Sequence, residues 1–257
     1  MLKKRDPNAP ISANGSARLP AEIKIWDAKT GALRRTMTAR EATVSALVFS
    51  PDSKSLAIAS VPLALDLKGE KAVVLVDAAS GEVVQKFPTD AMWVGGIAFS
   101  PDGASLAAAC SQRPYLLEMN VPGTDGDRPA SSLESLQAGQ LRVWETATGK
   151  VRQTIACGPV TAVQYSPDGM RLVAAGRDLF KEVSTIAYWD LATGTRVRSI
   201  EDPNLLAAMA QSSDGQLVAA SGALPPAPGI DGIVTLYNAT TGDRVGELAS
   251  RPDGPAN

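Results

Sequence analysis

The sequence predicts an all-β fold of tandem four-stranded antiparallel units, and three observations carry that expectation. Five times, an aromatic or apolar residue is followed five positions later by glycine. Four times, a Ser-Pro-Asp-Gly motif or a near copy of it lies between two apolar runs. The runs between these turns are short, rich in Val, Ile and Ala, and lack helical periodicity.

The anchors are Trp26, Val76, Trp144, Trp189 and Tyr237, spaced by 50, 68, 45 and 48 residues, with Gly31, Gly81, Gly149, Gly194 and Gly242 behind them. They lie in WDAKTG, VDAASG, WETATG, WDLATG and YNATTG, each a strand end running into a tight turn. The second motif places its serine 22 to 24 residues beyond four of the anchors: FSPDS ending at Ser53, FSPDG at Gly103, YSPDG at Gly169 and QSSDG at Gly215. Pro and Asp at the central positions with Gly closing are type I turn chemistry, so these aspartates read as turn formers rather than calcium ligands or acid catalysts. Strand-length runs flank the turns: VSALVF and SLAIAS around the first hairpin, KAVVLV and EVVQKF around the next glycine turn. Four such strands per unit of ~40 to 50 residues is the arithmetic of a β-propeller blade.

With the strands of a unit labelled a to d, there are five c-d pairs but only four a-b pairs. The expectation is four complete blades and an N-terminal half blade in an open or incomplete ring. Residues 1–21, with Pro7, Pro10 and Pro20, are expected to be irregular. Residues 22–249 hold the blades, with a long insertion at 112–139, and 250–257 form a tail too rich in Pro and Gly to supply the missing pair.

On these residues the chain resembles the WD-repeat (tryptophan-aspartate repeat) β-propeller family, in a degenerate, bacterial-type form. Trp26-Asp27 and Trp189-Asp190 are the dipeptide itself, FSPDG matches the family's first hairpin, and Trp144 and Tyr237 hold the equivalent anchor positions. The resemblance covers residues 22 to about 248 and implies a protein-binding scaffold. It also implies a buried Asp-His-Ser/Thr-Trp network, which cannot form because the sequence has no histidine. The aspartate six positions before the anchor survives only as Asp231, so blade rigidity must come from packing.

Composition narrows the function. Lys plus Arg number 25 against 27 Asp plus Glu, so no global field attracts nucleic acid or an anionic membrane. The start, MLKKRDPNAP, has no apolar core for a signal peptide, and no apolar stretch reaches the ~20 residues of a membrane helix, so a cytoplasmic location is expected. The absence of histidine excludes Ser-His-Asp triads, His-ligated haem and zinc sites with His ligands. Cys110 and Cys157 have no metal-binding spacing, read as small buried residues, and fall two strands apart in one blade, too far for a disulfide. Asp125 and Asp127 faintly resemble a calcium loop but lack its closing glutamate. No metal or cofactor is expected.

Strand alternation places both kinds of tight turn at one end of the blades and the b-to-c and d-to-a connections at the other. The long connections are all b-to-c: VPLALDLKGE after Ser60, the run from Ser111 to Gln140, RDLFKEVS after Gly176, and ALPPAPGID after Gly222. Two readings stand: insertions on one face mark a binding surface, or long surface loops persist because they cost little stability. On the first reading the contact residues are Trp93, placed in a short d-to-a connection, with Arg113, Tyr115, Arg177 and Phe180, large planar groups of the kind that anchor interfaces. The recurrent Arg34, Arg35, Lys86, Arg152, Arg196, Arg198 and Arg244 of the d strands read as charges that protect an exposed edge.

The leading function is therefore a non-catalytic interaction scaffold or sensor module with a protein or peptide partner. The alternative is a part-propeller that associates with another copy or domain through its open blade edges. A quinoprotein-type enzyme would carry Trp four residues beyond each turn glycine, where this chain has Arg35, Gln85, Gln153, Arg198 and Gly246.

Overall fold

The computed structural model describes residues 21–39, 42–62, 72–91, 93–111, 139–178, 183–202, 206–222 and 233–249. Strands β1 (Ala21–Trp26) and β2 (Leu33–Ala39) form a two-stranded half blade. Blade 1 contains β3 (Ala42–Phe49), β4 (Ser55–Pro62), β5 (Ala72–Asp77) and β6 (Val83–Pro88). Blade 2 contains β7 (Trp93–Phe99), β8 (Ser105–Ser111), β9 (Gly139–Glu145) and β10 (Val151–Cys157). Blade 3 follows with β11 (Ala162–Tyr165), β12 (Arg171–Asp178), β13 (Val183–Asp190) and β14 (Arg196–Asp202). Blade 4 has β15 (Leu206–Gln211), β16 (Leu217–Gly222), β17 (Ile233–Asn238) and β18 (Arg244–Ala249). The described residues are all-β, four complete antiparallel blades behind a half blade, and no helix among them is long and apolar enough to cross a membrane. Of the segment 1–21 expected to be irregular, residues 1–20 lie outside the described residues and Ala21 opens β1; the tail 250–257 also lies outside them.

The turns form as their residue types require. In each Ser-x-Asp hairpin the serine hydroxyl donates to the aspartate, as Ser100 does to Asp102 Oδ1 at 2.6 Å, and accepts from the backbone N–H that opens the next strand, Ser105 at 2.9 Å. The aspartate also accepts the Ala104 N–H at 2.9 Å. The anchor-following aspartate has the same duty in the second turn: Asp27 Oδ1 accepts the N–H groups of Lys29 and Thr30, both at 2.9 Å, and Asp190 accepts the Thr193 N–H. Bonds from the Thr30 backbone, Arg34 and the Lys29 backbone hold the Asp27 carboxyl down at about 2. The turn closes at a left-handed residue, such as Gly149 with φ 70°, where a side chain would be strained.

The core lies between blades rather than within them. Ala57, Val73 and Phe87 of blade 1 pack with Val94, Leu106, Ala108 and Trp144 of blade 2, and similar clusters join blades 2 to 3 and 3 to 4. The Trp144 anchor rests on the outer strand of the preceding blade: the Trp144 and Phe87 ring centroids are 5.7 Å apart, tilted at 52°. Trp144 is 0% exposed, Val76 5% and Tyr237 6%, whereas Trp26 of the half blade is 56% exposed. Among the described residues no strand covers the Trp26 anchor.

The missing histidine network leaves a trace. The indole N–H groups of Trp144 and Trp189 are buried without a hydrogen-bond partner. Packing, not a polar relay, holds these anchors.

The d-strand residues require a correction. Rather than only guarding an edge, Arg35 donates to the Ala79 carbonyl and Arg198 to the Ala239 carbonyl, each in the turn of the following blade. The Gln85 and Gln153 amides press at the same position against Gly149 and Gly194. At four successive junctions the residue four beyond the turn glycine thus meets the turn of the following blade, by a hydrogen bond at Arg35 and Arg198 and by close approach at Gln85 and Gln153. A sequence read strand by strand shows the charge but not the neighbouring turn it reaches.

Candidate functional site

The strand register defines the candidate face. Trp93 pairs with Ser111, Ser111 with Gly139 and Gly139 with Cys157, so the ends of b and d and the starts of a and c lie together in blade 2. Blade 3 repeats this with Asp178 opposite Val183 and Ser184 opposite Asp202, and blade 4 with Leu206 opposite Gly222. The four b-to-c connections therefore leave from one end of the blades. The other end carries the hydrogen-bonded turns.

Trp93 differs from its expected place: it is the first residue of β7 rather than part of the connection before it, because its backbone already pairs with Ser111. It is half-buried and sits at the expected end. Arg177 lies within β12, opposite Ser184. Arg113, Tyr115 and Phe180 lie outside the described residues, as do Asp231 and most of the 112–139 insertion.

Several interactions stiffen the frame below the loops. Asp90, in the connection between blades 1 and 2, accepts a bond from Arg142 Nη2 of β9 at 2.6 Å and one from Gln140 Nε2 at 3.3 Å. Partial burial pushes the Asp90 carboxyl up, but its own backbone N–H, Arg142 and Gln140 outweigh it and hold it low. Blade 2 approaches the segment leading into blade 3 so closely that a Cβ on Gly95 would lie 2.5 Å from the Thr161 carbonyl oxygen, and within blade 3 one on Gly176 would lie 1.7 Å from that of Pro159 in the same segment. Ser184 Oγ accepts the Leu206 N–H at 3.1 Å, beside the fully buried Asp202, which accepts the Tyr237 hydroxyl. Sequence reasoning took Tyr237 only as an anchor and missed Asp202, since nothing in a single strand marks a carboxylate for burial.

Cys110 and Cys157 are free thiols separated by β9. Burial pushes Cys110 up to about 11 and Cys157 to about 12, so neither is an activated nucleophile. Among the described residues no group of three or more His, Cys, Asp or Glu is placed to hold a metal.

Comparison with known proteins agrees with this architecture. Residues 149–179 match the family model described as WD domain, G-beta repeat. The chain is 26% identical over 185 residues to a WD repeat-containing protein of Synechocystis, covering 65% of this chain and 51% of that protein. It is 25% identical over 174 residues to a WD repeat-containing protein of Schistosoma mansoni, covering 67% of this chain and 46% of that one. The chain thus spans about half the length of these relatives. Among solved structures, Kuenenia stuttgartiensis hydrazine synthase superposes with a TM-score of 0.59 at 19% identity, over 80% of this chain and 49% of that one, a likeness of fold alone.

Proposed function

We propose that this chain, whose repeats are of the WD kind, is a non-catalytic interaction scaffold or sensor module that docks a protein or peptide on the face of the long b-to-c loops. The observation that carries this reading is the register, which gathers four connections of unequal length, Trp93 and Arg177 at one end of rigid blades. Rigid sheets lower the entropy cost of presenting loops to a partner, and an aromatic group beside them supplies the anchor that interfaces need. The functional unit on this reading is 22–249, with 112–139 as the main contact segment. Truncating Trp93 to Ala is expected to weaken a captured partner by ~2 kcal/mol or more, as at a true hot spot. Asp168 lies in a turn at the opposite end, and its replacement is expected to leave affinity unchanged. Equal losses from both ends would overturn the choice of face.

A second reading is favoured by the exposure of Trp26. Among the described residues β1 of the half blade has no inner neighbour, and an a-b pair from another copy or domain would cover its anchor. Mass measured in solution by light scattering across a concentration series separates the two readings. Concentration-dependent dimers lost on Trp26→Asp would support assembly; a monomer at all concentrations would remove it.

A further inference from the structure

We propose that the groove between blades 2 and 3, on the tight-turn face, binds a carboxylate group, with Arg152 and Tyr165 as its donors. This site lies at the opposite end of the blades from the loop face and does not depend on that reading.

The groove encloses about 500 Å³ and is lined by Ser100, Asp102, Ser105, Arg152, Gln153 and Tyr165 among others. The repeat supplies an internal control. Between blades 1 and 2 the equivalent groove is about 280 Å³, lined by Ser50, Asp52, Ser55 and Phe99. Counting from the turn motifs, Phe99 stands there in the place of Tyr165 and Val84 in the place of Arg152. Between blades 3 and 4 the places are taken by Gln211 and Val197, and the Gln211 amide is spent on the Tyr165 carbonyl at 3.1 Å. Only the middle of these three grooves combines a guanidinium with a phenol at these two positions.

Its donors are in excess. Arg152 Nη1 donates to Ser105 Oγ at 2.7 Å, and no described carboxylate lies within ion-pair distance of its guanidinium. Asp102 is the nearby anion, but its Oδ1 is occupied by the Ser100 hydroxyl and the Ala104 N–H. The Tyr165 hydroxyl is buried beside Ser105 and makes no hydrogen bond of good geometry there, and the junction between blades 1 and 2 has Phe99 at this place. Burial pushes the phenol up to about 12, so it remains a donor across the accessible pH range.

The same groups select the ligand. A guanidinium presents parallel N–H donors that match a planar carboxylate in a bidentate pair. One cation beside one aspartate leaves little net positive charge, which disfavours a phosphate dianion. A ligand oxygen that takes over the Arg152 bond to Ser105 frees the serine hydroxyl and opens the path to Tyr165. The remaining volume fits a body of amino-acid size, so the carboxylate belongs either to a small organic acid or to an acidic side chain of a peptide.

The test is amide NMR titration of the whole chain with glutarate, with N-acetyl-Ala-Glu-Ala-amide, with dimethyl glutarate and with inorganic phosphate. Saturable shifts at Ser105, Arg152 and Tyr165 with either carboxylate are expected, the tighter of the two identifying the source, and none with the ester. Arg152→Val is expected to weaken binding at least tenfold and Tyr165→Phe at least threefold. Both variants carry residues the chain already uses at equivalent places, so the blades are expected to fold. No saturable shift at these amides, binding that survives Arg152→Val, or phosphate bound as tightly as either carboxylate would overturn the proposal.

Discussion

The Tyr237 hydroxyl of blade 4 donates to Asp202 Oδ2 of blade 3, and the carboxylate is fully buried. This bond ties an anchor to the outer strand of the preceding blade by polar means, where Trp144 does so by ring packing on Phe87. Removing one partner of a buried charge-assisted bond costs more than the bond's net worth. Tyr237→Phe is therefore expected to lower stability by ~1–3 kcal/mol in urea unfolding. An unchanged midpoint would mean that Asp202 is fully satisfied by its other contacts.

Trp144 and Trp26 occupy the same position in the repeat but opposite environments, 0% and 56% exposed. Trp144→Ala deletes a buried indole and leaves a cavity, so a loss of ~3–5 kcal/mol is expected. Trp26→Ala is expected to cost less than ~1 kcal/mol. Comparable losses in chemical denaturation would show that Trp26 is covered.

The close approach of blades 2 and 3 gives a backbone prediction. Gly95→Ala places a methyl group 2.5 Å from a carbonyl oxygen that belongs to the next blade's inner strand connection. Backbone must shift to admit it, so ~1–3 kcal/mol of destabilisation is expected. Gly31→Ala serves as the contrasting case: nothing lies within 4 Å of its Cβ, and only its φ of 68° opposes the change.

Two limbs of pH dependence follow from the titrating groups. Cys110, Cys157 and Tyr165 are raised by burial to about 11, 12 and 12, from ordinary values of 9.0 and 10.0. The unfolded chain then loses these protons first. Their contribution is complete below pH 9 and disappears as pH climbs through 11 to 12. On the acid side Asp27 is lowered from 3.8 to about 2, so its contribution is present above 3.8 and disappears as pH falls toward 2. Urea midpoints measured from pH 2 to 11 are expected to form a plateau with both shoulders. Replacing both cysteines by Ala is expected to weaken the alkaline one.

The blade count and strand order were legible because each turn has its own chemistry. Gly149 and Gly194 sit at left-handed φ, and Ser100 with Asp102 ties its hairpin locally, so the signal lies within a few residues of sequence. What crosses between blades was not legible. Arg35 and Arg198 looked like edge charges because the turns they bind lie more than 40 residues away. Trp93 was placed one element too early because an aromatic residue at a strand boundary fits either side. The frame beneath the loops, Asp90 with Arg142, is likewise a contact between distant segments that no local pattern announces.

The central claim is that partners dock on the loop end of the blades. The most direct measurement compares binding of a captured partner to the intact chain, to a chain with 112–139 replaced by a short Gly-Ser linker, and to a chain with Asp168 changed to Asn. The account predicts that the linker chain loses binding while the turn variant retains it, with both still folded by circular dichroism. Binding that survives the linker but fails in the turn variant would contradict it and move the docking face to the opposite end.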